Sequence, residues 1–437
     1  MLYGIDLGTT NSLIGHGENL YTGLVSSAVD IRNGVQVGRN VFGEDIVSSY
    51  KVNMSTGQDG QLSIKASSII LKDLVKKANL KTGAWCSDVV ISVPAKFSST
   101  QRQAVAEAAK LANLNLKGLI NEPTAAALYV CRDMKDLVVV YDLGGGTFDV
   151  SVLDSRIGLY TVVASDGRIL AGDDFDTALM EEALKSRDIK IRKRTPAAMA
   201  EFRTLVRNAK EQLQSARCSQ FIEMSMFDIN EPYELTVDTY CNIMKEVFRE
   251  TINLTEYVLK MNVPECETPK LVFVGGSTSC PYLREWVSTS VGLPVVDCDI
   301  NPDLLVAKGV AIYAEMLENG VVEELVEDVT RRLCIEDNMG RAKVIIEKNS
   351  IIPIRSSIQV SNCAKTRYLE LRLYQGDSII AKENEYIGTL MYDYGMEVEA
   401  DEGEVEVEVQ VDRNGLITLK GIDVLTGLAQ DIKLNMR

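Results

Sequence analysis

One short phrase occurs twice in this chain, and it dictates the local backbone wherever it stands. Near the start it reads Gly4-Ile5-Asp6-Leu7-Gly8-Thr9-Thr10-Asn11, and it returns as Val139-Val140-Tyr141-Asp142-Leu143-Gly144-Gly145-Gly146-Thr147-Phe148-Asp149. Each copy is an apolar run, then Asp-Leu-Gly, then small hydroxyl residues, then more apolar sequence. An apolar run that ends at glycine reads as a strand entering a tight hairpin turn. Glycine has no Cβ, so backbone N–H groups there can close around a phosphate. The aspartate before each turn is placed to hold a metal through water. Two such hairpins facing each other would grip a polyphosphate and its magnesium from both sides.

The rest of the chain narrows the classes open to it. At 437 residues it exceeds one compact core, and two or three domains are expected. A net charge of −16 disfavours nucleic acid and anionic membrane as partners, because no basic surface is available to release counterions. Strand-like sequence begins at once, which argues against a signal peptide, and no apolar stretch reaches spanning length. The nine cysteines contain no Cys-x-x-Cys pair, as expected for reduced thiols in a cytoplasmic protein. His16 is the single histidine, which disfavours a Ser-His-Asp hydrolase or a histidine-ligated zinc site.

Residues 1 to about 320 alternate strand-like and helix-like segments, an α/β signature. Val89–Val93 is a strand stopped by Pro94. Ser98-Ser99-Thr100-Gln101 offers a capping box that opens a helix. Residues 198–217 and 236–260 read as helices, and Leu271–Val274 as a strand entering a third glycine turn, Gly275-Gly276-Ser277. From about 321 to 330 the sequence is short, acidic and partly apolar, as in a linker. Beyond it come alternating runs with turn signals. Val405, Val407, Val409 and Val411 alternate with polar residues before Asn414-Gly415, the pattern of a β-hairpin. The glutamates of that strand (Glu402, Glu404, Glu406, Glu408) read as one solvated face.

A single Asp-Leu-Gly turn is weak evidence; two copies followed by a third glycine turn resemble the actin, sugar-kinase and heat-shock ATPase superfamily. Longer phrases narrow this. Asp88-Val89-Val90-Ile91-Ser92-Val93-Pro94-Ala95-Lys96-Phe97 with Gln101-Arg102 resembles the 70-kDa heat-shock (DnaK-type) chaperones. So do Leu119-Ile120-Asn121-Glu122-Pro123-Thr124, Ala171-Gly172-Asp173-Asp174-Phe175-Asp176, Leu271–Thr278 and Ile300-Asn301-Pro302-Asp303. The likeness runs on through Lys348-Asn349, Ile352-Pro353, Gln375-Gly376-Asp377 and the 405–423 hairpin. It thins between residues 15 and 85.

The resemblance implies a two-lobed actin-like α/β ATPase domain of duplicated ribonuclease-H-like lobes over 1–320. Lobe I would take about 1–135 plus 300–320, and lobe II about 136–299. A linker at 321–330 would lead to an all-β peptide-binding sandwich at 331–437, with no helical lid after it. It implies ATP or ADP with Mg²⁺, and K⁺ as a candidate further ion. Gly8, Thr9, Thr10 and Asn11 would face the phosphates from lobe I, and Gly144, Gly145, Gly146 and Thr147 from lobe II. Asp6, Glu122 and Asp142 would hold hydrated Mg²⁺. Lys51 falls where the family has its catalytic lysine, beside Asp142, Thr147 and Glu122; read alone, it is a surface lysine. Lys210, Gly275, Gly276, Ser277 and Asp303 would complete the nucleotide site. Pro94 and Arg102 match a relay between domains, with Leu325 and Val326 in the linker. Ile335, Val360, Leu369 and Leu371 would line a peptide groove, though all four suit plain sheet core equally. Extended unfolded peptides are the implied partners, with a J-domain co-chaperone and a nucleotide-exchange factor as candidate others.

The chain also departs from that pattern. Lobe I looks trimmed between Thr10 and Lys51. The helix face expected to carry Glu, Lys, Arg and Ser reads Arg207, Lys210, Glu211 and Gln214, and Ser279 stands where an arginine is common. Only Lys210 survives, and an ordinary amphipathic helix accounts for Arg207 and Gln214. The linker has fewer apolar residues than the family's, which predicts weaker docking. Asn338 occupies an arch position over the groove where an apolar residue is expected. Two other readings stay open: a non-catalytic nucleotide-sensing scaffold on the same fold, and a filament-forming or sugar-kinase enzyme, against which the β region argues.

Overall fold

The computed structural model describes residues 1–30, 36–37, 46–47, 51, 54, 57–132, 134–156, 160–190, 193–216, 219–321, 325–329, 332–348 and 350–432. Both copies of the repeated phrase fold in the same way. Tyr3–Leu7 pairs antiparallel with Asn11–His16 and parallel with Asp88–Val93, which lies parallel to Asn115–Asn121. Leu137–Leu143 pairs antiparallel with Phe148–Asp154 and parallel with Lys270–Val274. The registers Leu7↔Ser12 and Leu143↔Phe148 leave the glycines in the turns. Residues pointing to both faces of these strands are buried, as expected where helices cover a sheet on both sides.

Eight helices of the described chain matter here: α1 (Gly57–Thr82), α2 (Ser99–Leu111), α3 (Glu122–Val130), α4 (Gly172–Ser186), α5 (Pro196–Ala216), α6 (Val237–Asn262), α7 (Pro281–Val291) and α8 (Leu305–Glu318). The capping box forms: Gln101 N donates to Ser98 Oγ at 3.3 Å, and Ser98 N to Gln101 Oε1 at 3.0 Å. Helices α1 and α2 pack on the first sheet. Helices α4 to α7 bury Phe175, Phe202, Phe248 and Val287 against Tyr141 and Phe148 of the second. Helices α3 and α8 supply the small and aliphatic side chains of a core shared by both sheets. Glycine permits that closeness, since a Cβ on Gly309 would strike the Ala125 carbonyl, and one on Gly4 the Val310 carbonyl.

Past residue 332 two four-stranded antiparallel sheets stack face to face. Leu333, Ile335, Leu371 and Leu373 of one meet Val405, Val407, Val409 and Leu419 of the other. The alternating valines form the hairpin Glu404–Val411 with Ile417–Asp423. Its turn holds Gly415 at φ +72°, a conformation that favours glycine.

Within the linker-like stretch, the described residues Leu325–Val329 form a strand. Leu325–Val329 runs parallel to Tyr160–Arg168 and antiparallel to Ser350–Ile352, so the second α/β sheet continues into the β region. This pairing is made by backbone groups, which need no particular side chain. The side chains of Leu325 and Val326 lie outside the described residues, as do residues 322–324 and 330. No helix among the described residues is long and apolar enough to cross a membrane.

Candidate functional site

The two hairpin turns face each other across a cleft whose deep end is lined by Asp6, Lys51, Glu122, Asp142 and Thr147. Asp6 and Asp142 each stand one residue before the end of a strand, and Glu122 opens α3. Lys51 is only 3% exposed. Its Nζ donates to Glu122 Oε1 and lies 6.0 Å from the centre of the Phe97 ring. Ser92 Oγ donates to Asp6 Oδ1 at 2.9 Å.

Burial, then the charge of Glu122, pushes the Asp6 carboxyl up to about 7. The same two causes hold Asp142 well above the ordinary carboxylate range. Asp149, just past the second turn, is also pushed up to about 7 by burial and then by Glu122. A cluster of acids around one buried lysine is short of positive charge. An all-oxygen donor set of this kind suits a hard cation such as Mg²⁺. Among the described residues no three His, Cys, Asp or Glu side chains close on one point tightly enough to ligate an ion directly.

These pKa shifts carry a consequence for the metal-free protein. Asp6 and Asp149 sit near 7 in the folded chain against an ordinary 3.8, so the folded state holds their protons longer. Their stabilising share is therefore complete below about pH 4 and is lost as pH rises through about 7. Thermal unfolding without metal, followed from about pH 5 to 8, should show this loss, and Asp6→Asn should flatten the slope. An unchanged slope in Asp6→Asn would contradict the placement of Asp6.

The glycine turns are built for close approach. A Cβ on Gly145 would land on the Thr10 hydroxyl, so the two hairpins meet tip to tip. Gly8 O accepts from Ser27 Oγ at 2.8 Å, and Thr10 O from Ser27 N at 2.7 Å. Gly144 N donates to Thr147 O at 3.1 Å, closing the second turn around Gly146. Gly144 O accepts from Ser277 Oγ at 2.8 Å, which brings in the third turn. Gly275 has φ +84°, and a Cβ there would strike the Leu143 carbonyl. Asn11 Nδ2 donates to Asp303 Oδ2 at 3.4 Å, while the buried Asn11 Oδ1 has no hydrogen-bond partner. Thr9 lines the deep chamber beside Thr10.

A wider chamber of about 310 Å³ opens outward from Thr10, Asn11 and Gly145 to α5. Lys210 is buried there, donating to Gly172 O at 3.0 Å and pairing with Asp176 Oδ1 at 2.7 Å. Arg207, which the sequence assigned to an ordinary helix face, lines the same chamber. It donates from Nη2 to Asp173 and from Nε to Asp176, both at 2.7 Å. Its signal lay in the quoted phrase Ala171–Asp176, whose acids are its partners. The side chain of Gln214 lies outside the described residues.

From the deep chamber a chain of contacts leads to the β region. Phe97 N donates to Pro94 O at 3.0 Å, and Phe97 O accepts from Arg102 Nε at 3.4 Å. Arg102 is buried, with Nη2 on Asn121 Oδ1, next to Glu122. Its Nη1 donates to Asn414 O at 3.1 Å in the turn of the 404–423 hairpin. Asn414 Oδ1 in turn accepts from Leu119 N at 2.8 Å, and Gln375 Oε1 from Ser99 N at 3.2 Å. Sequence reading saw Asn414-Gly415 only as a turn and missed Asn414, Gln375 and Ser99 as contacts between regions. Ile335, Leu369 and Leu371 are buried in the sandwich core, with Val360 half-buried against it. Asn338 Nδ2 donates to Cys363 Sγ at 2.8 Å, a polar link where an apolar residue was expected.

A profile of the Hsp70 protein family matches residues 43–437. The chain is also similar to the chaperone protein DnaK of Mycoplasmoides gallisepticum (strain R(low / passage 15 / clone 2)). The two share 32% identity over 480 aligned residues, covering 100% of this chain and 80% of the relative.

Proposed function

The chain belongs to the Hsp70 family, and on that premise we propose that it is a chaperone that hydrolyses ATP in the cleft between the two hairpins. The reading divides the chain into an ATPase domain at 1–320, with lobe I at about 1–135 plus 300–320 and lobe II at about 136–299. A linker at 321–330 joins it to a peptide-binding β domain at 331–437. The observation that carries the reading is the meeting of the two Asp-Leu-Gly turns over the Lys51–Glu122 pair.

In this proposal the backbone N–H groups of Gly8–Thr10, Gly145 and Gly146 receive the phosphate chain of ATP, while the Gly144 N–H holds the second turn closed on Thr147 O. Water attacks the γ-phosphorus in line, and the bond to the bridging oxygen breaks, leaving ADP and phosphate. Asp142 and Thr147 orient the water. Lys51 faces the charge that grows on the transferred group, in a buried setting where a fixed cation counts for most. Mg²⁺, when bound, neutralises phosphate oxygens. Asp6, Glu122 and Asp142 would hold it through its water shell, and a cluster of acids short of positive charge suits that role. Asn11, Lys210, Gly275, Gly276, Ser277 and Asp303 line the remaining path of the nucleotide.

Coupling would pass along Pro94, Phe97, Arg102 and Asn414 and through the Leu325–Val329 strand. An extended peptide would bind the β domain at Ile335, Val360, Leu369 and Leu371, which requires the sandwich to part there. A J-domain co-chaperone and an exchange factor are the partners that the family membership suggests. Calorimetry with MgATP and MgADP tests the site: saturable binding of both is expected, and heat from neither would defeat the proposal. A nucleotide sensor without turnover is the second reading, favoured by the altered α5 face. Bound ATP that stays intact would identify it.

A further inference from the structure

The Pro94–Phe97 turn makes one contact outside the relay to the β region. The turn closes with Phe97 N on Pro94 O at 3.0 Å, and Arg102 Nε holds Phe97 O at 3.4 Å. From Ile91 to Ser99 every residue is buried except Lys96, which is half-buried. A fixed turn therefore carries one long cationic side chain out of the first α/β sheet's core. Its Nζ donates to Asp166 Oδ1, in the strand Tyr160–Arg168 of the second α/β sheet. Asp166 is held in place too, since Oδ1 also accepts from Gly167 N at 2.7 Å. Burial alone would raise the Asp166 carboxyl, but the hydrogen bond and charge of Lys96 outweigh it and keep it below the ordinary range. The pair lies close to the deep end of the cleft. The Asp149 carboxyl there is governed, after burial, by the charges of Glu122 and Lys96. Asp149 packs on the Asp166 strand itself, where a Cβ on Gly167 would strike its Oδ1.

We infer that Lys96 and Asp166 form a latch between the two halves of the cleft, and that this latch sets how fast a bound nucleotide leaves. The hairpin tips already meet at Thr10 and Gly145, and the ion pair ties the halves at a second place. A ligand enclosed by both turns leaves when the halves part, and parting them breaks the pair. The two side chains are 33% and 27% exposed, so the pair is shielded more than a surface ion pair, yet water reaches it when it opens. Asp166 also borders an open pocket with Arg168 and Glu250, where the freed carboxylate is solvated. Losing one partner of a shielded, hydrogen-bonded charge pair acts on departure more than on arrival. Lys96 lines neither chamber of the cleft and acts through its closure, so it is a positioning residue. This inference rests on the nucleotide reading of the cleft and adds to it a control on release.

The test is a charge-swap cycle of Lys96→Asp, Asp166→Lys and the double variant. Each is followed by stopped-flow release of a fluorescent ADP analogue and by single-turnover cleavage of MgATP. Each single variant sets two like charges face to face and should speed ADP release by about fivefold to tenfold. The double variant restores the pair and should return to within about twofold of wild type. Cleavage of bound ATP should stay within about twofold throughout, because Lys51 and the two turns are untouched. Hydrogen exchange without nucleotide should show the amides of residues 95–97 opening faster in both single variants and protected again in the double variant. Unchanged ADP release in both single variants, or a double variant no closer to wild type than they are, would overturn the inference. So would slowed cleavage with unchanged release, which would make Lys96 part of the chemistry. A wild type that binds no ADP defeats the nucleotide reading instead, and the exchange measurement then decides by itself whether the latch exists.

Discussion

Replacing Lys51 with alanine is expected to slow ATP hydrolysis by roughly a hundred- to a thousandfold, the usual cost of losing one fixed group that faces transition-state charge. The burial of Lys51 makes the expectation sharp. A surface lysine would be screened by water, but this one is almost fully enclosed, with Glu122 as its hydrogen-bond partner and Phe97 beside it. Its removal also leaves the acids around it without their buried cation, so Asp6 should hold its proton to still higher pH. MgATP should continue to bind, because the backbone of the two hairpin turns is untouched. Single-turnover phosphate release and calorimetry separate the two effects. Near-normal release in Lys51→Ala would make Lys51 a structural partner of Glu122 and nothing more. Lys51→Met keeps the volume of the side chain and guards against a packing artefact.

The second large effect is expected at Arg102. Its guanidinium bonds the Phe97 carbonyl and Asn121 on the nucleotide side, and the Asn414 carbonyl on the β side. Arg102→Ala leaves these acceptors without that donor in a buried interface. Each such loss costs about 1–3 kcal/mol. A penalty of that size shifts a docked–undocked equilibrium by roughly fivefold to 150-fold. The variant should therefore bind ATP normally yet lose any acceleration of hydrolysis by peptide. Limited proteolysis should cut the 321–330 segment faster, because the Leu325–Val329 strand would leave its sheet more often. Asn414→Ala should act in the same direction and more weakly, since its carbonyl remains. Intact peptide acceleration in Arg102→Ala would show that the regions communicate by another route.

Much of the architecture was legible because its signals are local. The hairpins declared themselves through Asp-Leu-Gly after apolar runs, α2 through its capping box, and the 404–423 hairpin through alternating valines and Asn-Gly. That Asp6, Glu122 and Asp142 come together at the deep end of the cleft was legible for the same reason: they sit at strand ends or a helix start that short phrases fix. Lys51 was harder, because its neighbours in sequence say little and its burial comes entirely from tertiary packing. Arg207 was hidden by helical periodicity, which shows that a residue faces outward but not what it faces. Its partners Asp173 and Asp176 lie on another helix. The docking of Asn414 on Arg102 and Leu119 had no local signal at all, since the two segments meet only after both regions have folded. The Leu325–Val329 strand was missed because side-chain hydrophobicity was used to judge a contact that backbone hydrogen bonds make.

Phosphate release from a single turnover of MgATP, with and without an extended apolar peptide, tests the central claim most directly. The wild-type chain should release phosphate, peptide should accelerate that release, and Lys51→Ala should suppress it under both conditions. ATP that stays bound and uncleaved in the wild type, with or without peptide, would contradict the claim and leave the protein a nucleotide sensor.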